Sequence, residues 1–418
     1  MGYVPQINKE KMPSTIFIGE LSLDGKINRT NGILPMCIEA NELGIKTVIL
    51  PKANANEAAI ISNLDIIPVS TIEEVVKYLN QEQQIPKFET KGVNFEEKYN
   101  IDFSEVKGQE NVKRALEITA AGGHNCIMIG SPGSGKTMMA KRLVTILPKL
   151  TIDEAMEITK IHSISGELKK DGLIMNRPFR MPHHTVPINT IIGGGRIPRP
   201  GEISLAHCGV LFLDELTEFN RNILETLREP LENREIIINR LSGNYRYPCN
   251  FMFVASMNPC PCGYYGDEEK ECKCTTQEIH KYLRKISGPL LDRIDIQIEV
   301  KRPKFEKISS KKFIEKSSEI RKRVDYARNI QLERYKKYGI YSNAELSAKM
   351  IAEFCKLDAK GEELLQSAFK RFNLSVRAYE RILKVARTIA DLEGKKSIEF
   401  KHVAEAIHYR CLDKFSNW

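Results

Sequence analysis

Long apolar runs are missing from this 418-residue chain, and tryptophan is nearly so, with one in the whole sequence. Its apolar segments, such as Val210 to Leu213, fall far short of the ~18 to 20 residues that a membrane span takes. The opening Met1-Gly2-Tyr3-Val4-Pro5 lacks the basic-then-apolar order of a secretion signal. These two absences predict a cytoplasmic protein with no membrane partner. Aromatic residues at 7% and the lack of repeats or low-complexity tracts exclude collagen-like and prion-like chains, whereas 42% hydrophobic and 28% charged residues match an ordinary soluble globular protein. The length, roughly three domains at ~150 residues each, is enough to bury several cores, which rules out a disordered chain or a minimal disulfide scaffold.

Charge is unevenly spread. The formal net charge is +9, and residues 301 to 340 alone carry 14 Lys or Arg against 5 Asp or Glu, so the remainder is balanced. Such a block suits a polyanion partner, although a solvated helix face is the commoner use of such a run. Ten cysteines without a secretion signal point to metal ligation or burial rather than disulfides.

Four stretches of the chain differ in character. Residues 1–85 alternate short strands (Thr15 to Gly19, Thr47 to Pro51) with helices, including Thr71 to Leu79, and residues 86–100 read as a polar linker. Residues 101–302 alternate the strands Cys126 to Ile129, Val210 to Leu213, Phe251 to Val254 and Ile294 to Ile298 with helices, which predicts an α/β domain with a mostly parallel sheet between helices. Residues 303–418 lose the strand signal. Segments such as Ser375 to Glu393, with Tyr379, Ile382, Leu383, Ala386 and Ile389 on one stripe, predict a helical domain.

The sharpest chemical signal is Gly130-Ser131-Pro132-Gly133-Ser134-Gly135-Lys136-Thr137, placed between a strand and a helix. In that setting the loop backbone cradles phosphate oxygens, Lys136 neutralises the outer phosphates and Thr137 offers a hydroxyl to Mg²⁺. A second strand ends in Asp214-Glu215, which assigns Asp214 to the Mg²⁺ shell and Glu215 to the attacking water. A third ends at Asn258, an amide suited to orienting that water. Arg293, in Leu291-Asp292-Arg293-Ile294-Asp295, is expected near the domain edge, where a neighbouring subunit's nucleotide would accept it; a surface salt bridge is the alternative. Together these residues predict NTP hydrolysis.

Cys260-Pro261-Cys262 and Cys272-Lys273-Cys274 bracket nine residues of polar loop. Four thiolates so spaced suit a tetrahedral structural Zn²⁺. The other six, Cys37, Cys126, Cys208, Cys249, Cys355 and Cys411, read as small buried hydrophobes.

Beyond single motifs, the chain resembles the AAA+ ATPases of the magnesium-chelatase-like group, of the ComM/YifB type. The likeness runs through Ala121-Gly122-Gly123-His124-Asn125, the P-loop, Arg180-Met181-Pro182-His183-His184-Thr185, Pro200 to His207, the Asp214-Glu215 strand, Met257 to Gly263 and Ala386 to Leu392. The resemblance implies that Asn258 is the sensor-1 residue, Arg293 an arginine finger, and Arg377 the sensor-2 arginine of a helical lid. It implies a homo-hexameric ring acting on branched or single-stranded DNA, as a branch-migration motor in recombination during natural transformation. The ATPase subunit of a magnesium chelatase-type complex is the alternative, and an inactive scaffold a third reading that the intact site residues oppose.

Two inserts stand out within this group. One carries Gly193-Gly194-Gly195 with Arg196 and Arg199; the other, Ile236 to Tyr247, reads as a hairpin turning at Ser242-Gly243-Asn244 with Arg240 and Arg246 beside the turn. As pore loops these four arginines would hold a DNA backbone, with surface charge the bland reading. Adjacent His183 and His184 point to packing or hydrogen bonding rather than metal. Residues 1–85 are similar to the second half of a Lon-protease-type (ChlI-type) fold, with Leu34 where a catalytic lysine would fall, so proteolysis is not expected. Relatives carrying about a further hundred residues ahead of this region would make the chain an N-terminally shortened version.

Overall fold

The computed structural model describes residues 12–89, 99–168, 172–196, 198–240, 243–303 and 314–410. Most of the expected linker, the hairpin's Ser242, Cys411 and residues 304–313 of the basic block lie outside the described residues. The chain divides into two compact units, Met1–Glu97 with Leu150–Asn176, and Lys98–Lys149 with Arg177–Trp418.

In the first unit, β1 (Thr15–Phe17), β2 (Thr47–Pro51) and β3 (Asp65–Val69) form a parallel sheet in that order, with helices α1 (Ile33–Glu42) and α2 (Ile72–Leu79). The Thr71 hydroxyl caps α2 by accepting from the Glu74 N–H. The helix Ile152–Ser165 also groups with this unit, although it falls within residues 101–302 of the sequence. The reason is a buried acid. Glu57 is 3% exposed, and its carboxylate accepts from the Leu34 N–H (3.0 Å), Asn54 Nδ2 (3.2 Å) and the Ser163 hydroxyl of that helix. Without these donors the charge would be stranded.

The second unit is built on five parallel strands: β4 (Cys126–Ile129), β5 (Phe179–Arg180), β6 (Val210–Leu213), β9 (Met252–Met257) and β10 (Ile296–Glu299), with β7 (Glu235–Arg240) and β8 (Gly243–Pro248) forming a separate hairpin. Their order is β10-β4-β9-β6-β5, with Val254 opposite Cys126 and Val210 opposite Met252. β4 and β6 are buried along their whole length, as parallel strands covered on both faces must be. The short edge strand β5 carries too few residues to show a periodic signal.

The helices of this unit that matter here are α3 (Glu110–Gly122), α4 (Lys136–Leu143), α5 (Thr276–Leu283), α6 (Ser317–Tyr335) and α7 (Val376–Leu392). The sequence pattern separates 101–302 from 303–418; the structure joins them. Ile320, Val324 and Ala327 of α6 and Ile382, Leu383, Ala386 and Ile389 of α7 share one core with Ala115, Leu116 and Ile118 of α3. Buried polar groups cross the same junction, with His124 Nε2 2.7 Å from the Thr388 hydroxyl and Gln331 Nε2 donating to the Ala121 carbonyl at 3.1 Å. Among the described residues, the helical segment therefore shares its core with the α/β part.

Candidate nucleotide site and thiol cluster

Strand β4 delivers the P-loop to the end of the sheet. Gly130 faces the carbonyl oxygen of Val300 so closely that a β-carbon would overlap it, and Gly135, at φ 92°, turns the chain into α4. Lys136 opens that helix, 9% exposed. Its ammonium donates to the carbonyls of Gly130 (2.6 Å) and Ser131 (3.1 Å) and to Asn258 Oδ1 (3.3 Å). Burial pushes it down to about 8, against the opposing pull of Asp214 and Glu215.

Beside it, the Thr137 hydroxyl donates to Asp214 Oδ2 at 2.7 Å. The other Asp214 oxygen accepts from Ser256 on β9, and the Ser256 hydroxyl also accepts from the Glu215 N–H at 3.3 Å. Glu215 takes a left-handed backbone, φ 54°, and exposes its carboxylate. Thus Lys136, Thr137, Asp214, Glu215 and Asn258, from three adjacent strand ends, form one cluster, with Ser256 joining it. The sequence gives no signal for Ser256, because a serine inside a buried strand resembles any small residue.

Arg293 is not at an exposed edge. It is 7% exposed, bonded to the Pro289 carbonyl at 2.7 Å and paired with Glu232. Its backbone is fixed from below, since Asn125 Nδ2 donates to the Arg293 carbonyl (2.9 Å) while the Asn125 N–H donates to Asp295 (2.9 Å). Asp295 is fully enclosed; although burial opposes it, the Arg381 guanidinium and the His124 ring hold its carboxyl well below the usual carboxylate range. Arg377, half-exposed on α7, lies 3.8 Å from the same Glu232. The two predicted arginines therefore meet each other's partner and make no ion pair with a P-loop residue.

The four cysteines converge. Cys260 Sγ lies 3.4 Å from Cys262 Sγ and 3.7 Å from Cys272 Sγ, Cys262 and Cys272 are 3.6 Å apart, and the Cys262 N–H points at Cys274 Sγ at 3.4 Å. A Zn–S bond of about 2.3 Å sets tetrahedral S···S edges of about 3.8 Å, so this donor set fits a zinc ion. The Tyr264 N–H pulls the Cys262 thiol down to about 6, favouring a thiolate ligand. Among the scattered cysteines, Cys208 departs from expectation: it is half-buried and left-handed, at φ 54°.

The thiol loop rests on the P-loop, an arrangement that motif reading missed. Gly263 faces the Pro132 ring closely enough that a β-carbon would come within 2.7 Å, Asp267 accepts from the Ser131 hydroxyl, and Arg302 donates to the Pro132 carbonyl at 2.8 Å. A cleft of about 1020 Å³ opens there, lined by Gln109, Gly130, Ser131, Asp267, Arg302 and His408 among others. Gln109 sits left-handed after Gly108 (φ 63° and 69°), and that Gly-Gln turn is the local signal that was available.

The two arginine inserts also meet. Gly193 and Gly194 pair with Pro200 and Arg199, and Gly194 lies against the Arg240 guanidinium of β7, while the Tyr247 hydroxyl of β8 donates to the Pro198 carbonyl at 3.0 Å. Arg196 and Arg199 are exposed, and Arg246, 71% exposed, is 4.0 Å from Glu235. His183 and His184 stack at 4.2 Å, and His183 Nδ1 bonds the Thr185 hydroxyl at 2.8 Å.

A central P-loop strand, glycine turn and helix, with the acidic strand β6 separated from β4 by β9, define a P-loop protein of the AAA+ kind. Family models described as magnesium chelatase subunit ChlI match residues 102–308 and, for its C-terminal part, 314–410, and a further ChlI model matches residues 3–54. The competence protein ComM of Haemophilus influenzae is 42% identical over 99% of this chain and 81% of its own length. YifB of Escherichia coli K12 is 39% identical over 98% and 79%, whereas the magnesium-chelatase 38 kDa subunit of Rhodobacter capsulatus is 27% identical over 38% of this chain and 50% of its own. The chain belongs to the ComM/YifB family of magnesium-chelatase-like proteins. No helix among the described residues is long and apolar enough to cross a membrane.

Proposed function

We propose that this protein hydrolyses ATP as a subunit of a homo-hexameric ring and uses the energy to move branched or single-stranded DNA, as a branch-migration helicase in recombination. The observation that carries the ATPase reading is the cluster of Lys136, Thr137, Asp214, Glu215 and Asn258 at the end of one sheet. Lys136 exchanges its carbonyl partners for phosphate oxygens, so the loop is held open for the ligand. Thr137 and Asp214 would hold Mg²⁺, which neutralises charge on the outer phosphates. Glu215 accepts a proton from the water whose oxygen attacks the γ-phosphorus, while the bond to the ADP oxygen breaks; Asn258 orients that water. The cleft beside Gln109 and Arg302 takes the base and ribose.

Arg293 completes a neighbouring subunit's site after leaving Glu232, and Arg377 joins it from the helical segment, which serves as the lid. The thiol cluster holds a structural Zn²⁺ that stiffens the loop on the P-loop. Residues 12–89 keep a Lon-like half-fold without proteolytic groups.

Support for DNA as the partner comes from the joined arginine hairpins and from the competence role printed in the name of the Haemophilus relative. The chelatase reading shares the nucleotide site. ATP turnover measured with and without four-way DNA separates the two. Several-fold stimulation is expected; stimulation only by a chelatase partner preparation would transfer the protein to the other reading.

A further inference from the structure

A second basic feature lies outside every residue considered so far. Between the turn Leu216–Glu218, which follows Glu215 directly, and helix α5 there is an open cleft of about 760 Å³ lined by Arg221, His280, Lys281, Arg284 and Lys285 with the single carboxylate Glu218. Lys285 is committed to the protein, donating to the Thr217 carbonyl at 3.2 Å and lying 3.6 Å from Glu218. Lys281 and Arg284 are exposed and ion-pair with no described carboxylate, and Arg221 is exposed beside them.

Cations at a helix C-terminus gain only modestly from its dipole, which does not account for a fourth cation, Arg221, from another element. The charges at 281, 284 and 285 span about one helical turn, ~5.4 Å along the axis. That makes a row rather than a point, wide and wet, suited to a run of phosphates more than to a single ion or an apolar ligand.

The cleft also has a wire to the catalytic cluster. The Tyr282 hydroxyl on α5 accepts from the Thr217 hydroxyl at 2.6 Å, and the Asn258 backbone N–H reaches the same oxygen. Tyr282 thus touches both the turn after Glu215 and the residue assigned to orient water.

We propose that this cleft binds successive backbone phosphates of a DNA strand through Arg221, Lys281 and Arg284, and that Tyr282 passes the resulting shift of α5 to Glu215 and Asn258. The inference rests on the DNA reading above and adds the contact by which DNA would raise turnover.

The test uses the full chain, a fluorescent single-stranded oligonucleotide and the double variant Lys281→Ala with Arg284→Ala, whose exposed positions should leave the melting temperature and basal ATPase as in wild type. Affinity at low salt should fall about tenfold, and the slope of log K against log salt should flatten by about 1.4, two contacts at ~0.7 each. Tyr282→Phe should keep the affinity and lose the stimulation. Inorganic phosphate at equal ionic strength should not displace the strand; full displacement would overturn the row-of-phosphates reading. If wild type binds DNA and the double variant matches it in affinity and slope, this inference alone fails. If wild type binds no DNA, the DNA reading falls and takes this inference with it.

Discussion

The nucleotide cluster and the arginine hairpins sit in the same unit and are built on opposite principles. In the cluster, the polar groups other than the exposed Glu215 carboxylate are already bonded to one another: Lys136 to Asn258 and two carbonyls, Thr137 to Asp214, Asp214 to Ser256. In the hairpins, Arg196, Arg199 and Arg246 face solvent. A site that must place one phosphorus atom to within fractions of an ångström gains from pre-arranged groups that need no reorganisation. A surface that holds a repeating backbone gains from mobile charges that accept many registers. The comparison therefore predicts large, all-or-none effects in the first region and small, additive, salt-dependent ones in the second.

The sharpest way to break it is at the cluster. Lys136→Ala should abolish nucleotide binding, and Glu215→Gln should keep binding while lowering turnover by ~10³ or more, because the proposed role of the first is to hold phosphate and that of the second to act on water. Fluorescent-nucleotide titration and steady-state ATPase separate the two. A Glu215→Gln protein hydrolysing at the wild-type rate would remove the acidic strand from the mechanism.

Arg293 tests the boundary between the two principles, because its guanidinium is buried yet is assigned to a neighbour's phosphate. Arg293→Ala should lower hydrolysis by ~10³, and mixing it with Lys136→Ala protein should restore part of the rate, since some interfaces then pair an intact P-loop with an intact arginine. No recovery in demonstrably mixed rings would leave Arg293 as a partner of Glu232 within one subunit.

What could be read from the sequence follows the same division. β4 and β6 could be placed to the residue because a short, fully apolar run ending at glycine or acid has one reading as a buried strand. The P-loop could be placed because its glycines and lysine are adjacent in sequence. Ser256, Tyr282 and Asp267 could not, since each acts through residues distant along the chain: Ser256 on Asp214, Tyr282 on Thr217, Asp267 on Ser131. The location of the helix Ile152–Ser165 was hidden for a like reason, because Glu57 gives no hint in sequence that its donor lies at Ser163.

The thiol cluster sits between the extremes. The purified protein should carry about one zinc per chain, and Cys272→Ser with Cys274→Ser should release it. Because Gly263 and Asp267 of that loop rest on Pro132 and Ser131, metal loss should weaken nucleotide binding a few-fold rather than abolish it. Elemental analysis without zinc, on protein prepared under reducing, chelator-free conditions, would defeat the assignment.

The smallest effects belong to the hairpins. Removing charge singly from Arg196, Arg199 or Arg246 should weaken DNA binding about two- to threefold each at low salt, equally for all sequences, and flatten the salt slope by under one unit per residue, because each lost phosphate contact releases fewer counterions. Arg240 should differ. Its guanidinium lies against Gly194, so Arg240→Ala also removes a contact between the two inserts and should cost more DNA affinity than any of the other three. A Gly194→Ala variant, which crowds that guanidinium while keeping its charge, decides between the causes. If it weakens DNA binding as Arg240→Ala does, the shape of the joined inserts matters; if it binds as wild type, charge alone does, and the four arginines are equivalent.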